Sequence, residues 1–245
     1  MSQIACGARR IPLSGVFNCR DLGGYPCAGG GVTRYSRFIR CGIPFGPMAP
    51  DRAQLAKIPV KTVIDLRGNG EAKVSPSAYA KEAGIRYHHF SLLEINPAYV
   101  SRVENQPLWE SYLYTLTEHQ ENMAGVFHAI ASAEEGAVLF HCALGKDRTG
   151  IVAALLLALA GVDRMDIIAD YQVSNTYLQP MFRTMMEDGN ELFDEAKNPH
   201  LKSDPDTMDR LLTYLETECG GARAYLQSIG MTDAELNAIT QRLAG

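Results

Sequence analysis

The sequence predicts an α/β fold: a central, mostly parallel sheet flanked by helices, with an N-terminal β-hairpin region and a helical cap and tail. Three observations predict it. Residues 138–141 (Val-Leu-Phe-His141) read as a buried strand that passes through a short loop straight into an Ala/Leu-rich helix beginning near Thr149. Residues 61–66 (Lys-Thr-Val-Ile-Asp65-Leu) make a second apolar strand, which ends in Asp65-Leu66-Arg67-Gly. Between the two, over 107–133, apolar residues recur at helical spacing, as in a chain that crosses from strand to strand through helices.

The chain has 245 residues, 46% hydrophobic and 21% charged, which suits one globular domain spanning 1–245. No apolar run approaches the roughly 18 residues a membrane-crossing helix needs. The N-terminal ten residues lack an apolar signal core, so a cytoplasmic protein is expected, with export by a non-classical route left open. A net charge of -5 argues against a nucleic-acid partner, but it is unevenly spread. Residues 1–40 hold six arginines and one acid, Asp21, leaving -10 on the remainder. Folded near an anion site, that segment would attract anionic substrates; folded elsewhere it is a solvated basic face.

Six cysteines (6, 19, 27, 41, 142 and 219) in a chain this long do not make a disulfide framework, and no C-x-x-C pair points to zinc. They read as buried thiols. Cys19 and Cys41 are candidates for a reversible disulfide with Cys142, should Cys142 be the thiolate an oxidant meets first.

Taken in order, residues 14–42 carry Gly24, Pro26 and Gly29 to Gly31 as turn punctuation between short β-rich pieces, predicting a hairpin. Arg20 and Asp21 read as a structural ion pair or as a border of the site, the structural role being favoured. Asp65 stands at the carboxyl end of its strand, where open α/β sheets collect their ligand loops, so it is a candidate acid. Arg67 or Glu71 would structure that loop. Residues 85–93 form another short strand, on which the adjacent His88 and His89 face opposite ways and cannot pair on a metal. Two helices are expected over 107–133, with Trp109 as packing. The helix over 149–160 is nearly all apolar and should be buried on most sides. An amphipathic helix follows over 165–178. Residues 180–209 mix methionines with acids and are broken by Pro199 and Pro205, fitting either a mobile cap or a packed surface pair. Helices over 206–219 and 232–243 close the chain, the last with a Thr232-x-x-Glu235 capping box.

The chemistry sits in His141-Cys142-Ala143-Leu144-Gly145-Lys146-Asp147-Arg148-Thr149-Gly150. An ordinary thiol is only a few per cent thiolate at neutral pH, and the thiolate is the nucleophile. Backbone N–H groups of a loop wrapped at a helix N-terminus favour that anion, and the same donors bind phosphate. A planar guanidinium, Arg148, can grip two phosphate oxygens and follow them into a trigonal transition state. Gly145 lets backbone approach a ligand closely. A nucleotide-binding P-loop does not fit, because its first glycine would fall on Phe140 and its Mg²⁺-binding Ser/Thr on Asp147. A generic core cysteine would not account for the residues around Cys142.

This stretch resembles the CX5R loop of the cysteine-dependent protein tyrosine phosphatase superfamily. More narrowly, HCxxGKDRTG is similar to the microbial tyrosine and dual- or triple-specificity branch with activity on phosphoinositides. Asn18-Cys19-Arg20-Asp21-Leu22-Gly23-Gly24 resembles the N-F-R-D-L-G-G signature of the same branch, with Cys19 in place of the aromatic, and Arg40-Cys41 stands where the branch tends to have Arg-Ser. The resemblance implies a tyrosine-phosphatase-like fold and hydrolysis of phosphomonoesters without metal or organic cofactor. Expected substrates are phosphotyrosine proteins, with phosphoserine, phosphothreonine and phosphoinositides as further activities. Cys142 is then the nucleophile and Arg148 the phosphate clamp. Ala143, Leu144, Gly145, Lys146 and Thr149 bind substrate, with Lys146 as a second cation for a ring carrying several phosphates and Thr149 bonded to the sulfur. His141 orients Cys142 through the backbone. No W-P-D matches, so the general acid is Asp147, slightly preferred, or Asp65. Phosphoinositide hydrolysis as the main activity, an idle phosphate-binding module, and sulfur or arsenate chemistry are the rival functions.

Overall fold

The computed structural model describes residues 9–44, 49–94, 99 and 106–244. Five strands form one sheet in the order β1-β2-β5-β3-β4: β1 Arg20–Asp21, β2 Phe38–Cys41, β3 Val60–Asp65, β4 Arg86–His89 and β5 Ala137–His141. Only β1 runs antiparallel, beside β2; the other pairings are parallel. The expected hairpin therefore exists, although its first strand is two residues long.

β5 lies at the centre, flanked on both sides, and its residues are all buried. Period-two alternation sorts them. Val138 and Phe140 face the large core beneath the helices, while Ala137 and Leu139 face a smaller one with Ile39, Val63 and Ile58. A strand covered on both faces must be apolar throughout, which is why this run showed no polar alternation. Burial of Val138, Leu139 and Phe140 contributes roughly 1.5–3 kcal/mol each.

The helices are α1 Ala49–Leu55, α2 Asn69–Val74, α3 Leu108–Glu118, α4 Gln120–Ala131, α5 Asp147–Leu159, α6 Arg164–Gln172, α7 Ser174–Glu187, α8 Pro205–Thr217, α9 Ala222–Ser228 and α10 Asp233–Ala244. α5 leaves β5 through the loop and is buried from Arg148 to Leu157, packed by α3, α6, α9 and α10. A helix enclosed on this scale holds its N-terminus still, and the N-terminus is where the loop hangs.

Two expectations are corrected. The helix predicted over 165–178 is two helices that part at Val173, and the second continues through Pro180 to Glu187. Pro180 removes one backbone bond at a cost of about 3 kcal/mol. Leu178, Met181 and Phe182 outweigh it by burying themselves against Leu201, Leu144 and Phe17. The short α9 was not anticipated; glycines with positive φ, Gly220, Gly221 and Gly230, bracket it. Among the described residues, no helix is long and apolar enough to cross a membrane.

Candidate active site

Five loop carbonyls, from Cys142 to Lys146, are each taken by a donor outside the loop's hollow. His141 Nδ1 lies 3.3 Å from the Cys142 oxygen. The Ile43 N–H donates to Ala143 O at 2.9 Å. Asn18 Nδ2 donates to Leu144 O and Gly145 O, both at 3.0 Å. Arg40 Nη2 donates to Gly145 O at 2.7 Å and Lys146 O at 3.3 Å. The described peptides are all trans. In a trans peptide the N–H points opposite the carbonyl, so the N–H groups of Ala143 to Asp147 are turned inward. None of those from Ala143 to Lys146 donates to a described residue. With the positive end of α5 behind them, they form a concavity suited to a tetrahedral anion.

Gly145 makes the tight wrap feasible. Its φ is +66°, and a Cβ there would lie 2.3 Å from the backbone carbon of Cys41. Any other residue would push the loop off the end of β2. Cys142, 2% exposed, sits at the floor of this loop, one residue past β5.

Arg148, in the first turn of α5, is held by Glu71, at the start of α2. Its Nη1 donates to Glu71 Oε2 and its Nη2 to Oε1 at 3.0 Å. Burial opposes the charge on Arg148, but its bonds to Glu71 and the charge of Cys142 outweigh it and raise its pKa further. Glu71 is itself tied to the Gly68 N–H at 2.9 Å. The loop after β3 thus holds the guanidinium through Glu71, a contact that the expected loop-structuring role of Arg67 or Glu71 did not include. Glu71→Gln keeps the shape but can no longer accept two charged bonds. It is expected to lower kcat/KM about 10²-fold through misaimed Arg148, measured by steady-state kinetics; an unchanged value would remove Glu71 from the site.

Asp65 is not placed for acid chemistry. It is fully buried. Arg67 donates to it from Nε at 2.9 Å and Nη2 at 2.6 Å, and Tyr87 from its hydroxyl at 2.7 Å. Burial would raise its pKa, yet the bonds from Arg67, the charge of His141 and the Tyr87 bond bring it to about 2. A sealed carboxylate that stays ionised to that pH has no proton to give, which corrects the reading of Asp65 as an acid. Asp147 is a third exposed at the mouth of the loop, accepts from the Tyr112 hydroxyl at 2.7 Å and lies 3.0 Å from Lys146 Nζ.

Lys146 departs from its expected role. Its ammonium is buried and donates to the His200 and Lys202 carbonyls at 2.5 and 3.2 Å, besides pairing with Asp147. The side chain clamps the 199–202 turn onto the loop; it does not face an incoming phosphate. The same turn is seated by Asn175, which exchanges two hydrogen bonds with Ser203, and Leu144 packs into its apolar underside. Thr149 also differs. Its buried hydroxyl has no partner among the described residues, so the expected bond to the Cys142 sulfur is not made.

Arg20 and Asp21, read as a pair, have separate partners. Arg20 donates to Asp170 at 2.9 Å and to the Asn18 side-chain oxygen at 2.5 Å. Asp21 accepts from the Gly23 and Ser36 N–H groups at 2.8 and 2.7 Å. Cys19, Cys41 and Cys142 are all free thiols, and the Cys41 thiol, pushed well up by burial and by a hydrogen bond with Cys19, forms no disulfide. Among the described residues, no group of three His, Cys, Asp or Glu is placed to hold a metal.

The buried charges also set the response to acid. Burial lowers His141 to about 4, so the folded state refuses a proton that an unfolded histidine takes near 6.5, and stability falls as pH drops between those values. Asp21 opposes this: burial raises it to about 6, so its contribution to stability improves as pH drops toward 3.8. Asp65 and Asp170, both lowered to about 2 by their guanidinium partners against the cost of burial, contribute on the order of 2–3 kcal/mol each that is lost below about pH 4. Urea midpoints are therefore expected to change little from pH 6.5 to 4 and to collapse from 4 toward 2. A uniform slope across both ranges would contradict this balance.

Against known sequences, residues 11–245 match the model of a tyrosine phosphatase family. A tyrosine-protein phosphatase of Nostoc commune is 34% identical over 249 residues, covering 98% of this chain and 77% of its own. The triple specificity protein phosphatase PtpB of Mycobacterium tuberculosis is 31% identical over 121 residues, 44% of each chain. The crystal structure of P. aeruginosa TpbA is 21% identical, with a TM-score of 0.32, over 59% of this chain and 80% of its own.

Proposed function

Because the chain belongs to the tyrosine phosphatase family and is therefore a phosphatase, we propose that it dephosphorylates phosphotyrosine proteins by two displacements through Cys142. In the first, the thiolate attacks phosphorus and the bond to the leaving oxygen breaks, giving a cysteinyl-phosphate. The inward N–H groups and Arg148 hold the three equatorial oxygens. Asp147 protonates the leaving oxygen. In the second, Asp147 takes a proton from water, water attacks phosphorus, and the sulfur departs as thiolate with release of phosphate.

The observation that carries this reading is the outward anchoring of all five loop carbonyls, since it is what makes the hollow a donor-only surface. The loop supplies the positive potential, so the reaction as written uses no cofactor. Phosphotyrosine is preferred over phosphoinositide because the Lys146 ammonium, the candidate second cation, is engaged by carbonyls behind the loop. PtpB, named a triple specificity phosphatase, keeps phosphoserine and phosphothreonine within reach of this reading.

The test is phosphate release from phosphotyrosine and phosphoserine peptides and from phosphoinositide vesicles at matched concentration. The phosphotyrosine peptide should turn over fastest. A phosphoinositide rate about tenfold above it would make lipid hydrolysis the main activity; no release from any would reduce the chain to a phosphate-binding module.

A further inference from the structure

Arg40 lies on β2, and its side chain is completely buried. Nη2 reaches the Gly145 and Lys146 carbonyls, and Nη1 donates to Asp170 Oδ2 at 2.5 Å. Nε has no partner among the described residues. Asp170 also accepts from Arg20 Nε at 2.9 Å and the Tyr25 hydroxyl at 3.0 Å.

Two guanidiniums thus share one carboxylate, and the buried cluster carries one positive charge in excess. The other charged groups around the loop balance in pairs: Arg148 with Glu71, Lys146 with Asp147, Arg67 with Asp65. Asp21, next to Arg20 in sequence, accepts from backbone N–H groups and pairs with neither guanidinium. An unbalanced buried charge is costly unless an opposite charge stands near. Burial, then the neighbouring Arg20, lower the Arg40 pKa to about 10, while Asp170 and the charge of Cys142 support it, so Arg40 stays ionised near neutral pH. The opposite charge that can stand near the cluster is that of the Cys142 sulfur when it ionises.

We propose that Arg40 is a positioning residue with two roles: it fixes the loop carbonyls outward so that the donors converge on phosphate, and its unbalanced charge favours the ionised nucleophile. The proposal deepens the phosphatase reading and rests on it. A residue that merely braces the fold would need only the hydrogen bonds; this one needs the charge as well.

The two roles separate experimentally. In the full-length protein, Arg40→Gln removes the charge and Arg40→Lys keeps it while losing the two-carbonyl fork. Alkylation of Cys142 by iodoacetamide, read by mass spectrometry at pH 6 and pH 9, reports the ionised sulfur. Vanadate binding reports the aim of the donors. Arg40→Gln should slow alkylation about tenfold at pH 6 and recover at pH 9, where the thiolate forms without help from the nearby charge. Arg40→Lys should alkylate at pH 6 within about threefold of wild type but bind vanadate about tenfold more weakly. A folded Arg40→Gln that alkylates like wild type at pH 6 overturns the charge role. If circular dichroism shows Arg40→Gln unfolded, Arg40→Lys decides: wild-type vanadate affinity overturns the proposal, and weakened affinity with pH 6 alkylation retained supports it. The alkylation arm needs no substrate. A wild-type protein that hydrolyses no phosphomonoester sinks the phosphatase reading separately from this result.

Discussion

Cys142→Ser is expected to abolish phosphate release, lowering kcat by at least about 10⁴-fold, while leaving the protein folded and able to bind a phosphotyrosine peptide. Sulfur and oxygen differ little in size, so the cradle of N–H groups and Arg148 persists. What disappears is the nucleophile, because a serine hydroxyl beside no general base is protonated at neutral pH. His141 cannot become that base: its Nδ1 faces the Cys142 carbonyl, its Nε2 lies 3.2 Å from the Ser77 hydroxyl, and it is sealed from the hollow. Nucleophile deletions of this kind cost several powers of ten because the remaining groups only stabilise charge that no longer develops. Turnover by the serine variant above about a thousandth of wild type would refute the covalent route.

Asp147→Asn should produce the second largest loss, and one that depends on the leaving group. With a nitrophenyl phosphate the departing oxygen is already stable as an anion, so the loss should stay below about tenfold. With an alkyl phosphate the oxygen must be protonated as it leaves, and the loss should reach about 10²–10⁴-fold. Asp65→Asn should behave differently. Removing that carboxylate strands the buried Arg67 guanidinium and is expected to cost about 3–5 kcal/mol of stability, visible as a fall in the urea midpoint with no dependence on leaving group. If Asp65→Asn showed the leaving-group signature and Asp147→Asn did not, the two assignments would have to be exchanged.

The contrast between these aspartates also marks where linear reading stops. Both were legible as candidates, one inside the loop and one at a strand end. Their separation depended on Tyr87, 22 residues along and on a neighbouring strand, and on Arg67 folding back onto Asp65. Lys146 failed in the same way. Its position in the loop suggested a ligand for phosphate, but the direction of its side chain was set by the carbonyls of His200 and Lys202, more than 50 residues distant. The helix expected to end at 178 runs on through Pro180 to Glu187, because apolar burial beside the proline outweighs one lost bond.

The linear chain by itself determined the strand, loop and helix around Cys142, the need for glycine at 145 and the six-residue separation of sulfur and guanidinium, because all of these are consequences of local backbone geometry and of side-chain chemistry along a few neighbouring residues. Only the folded sheet decided that Asn18 and Arg40 would turn the loop's carbonyls out, that Glu71 would aim Arg148, and that Asp170 would be shared by two arginines. Those partners are brought together by strand order, with β2 and β3 on either side of β5. Hydrogen bonds and buried charges are selective at a few ångströms, and which groups come that close is settled by packing across the whole core.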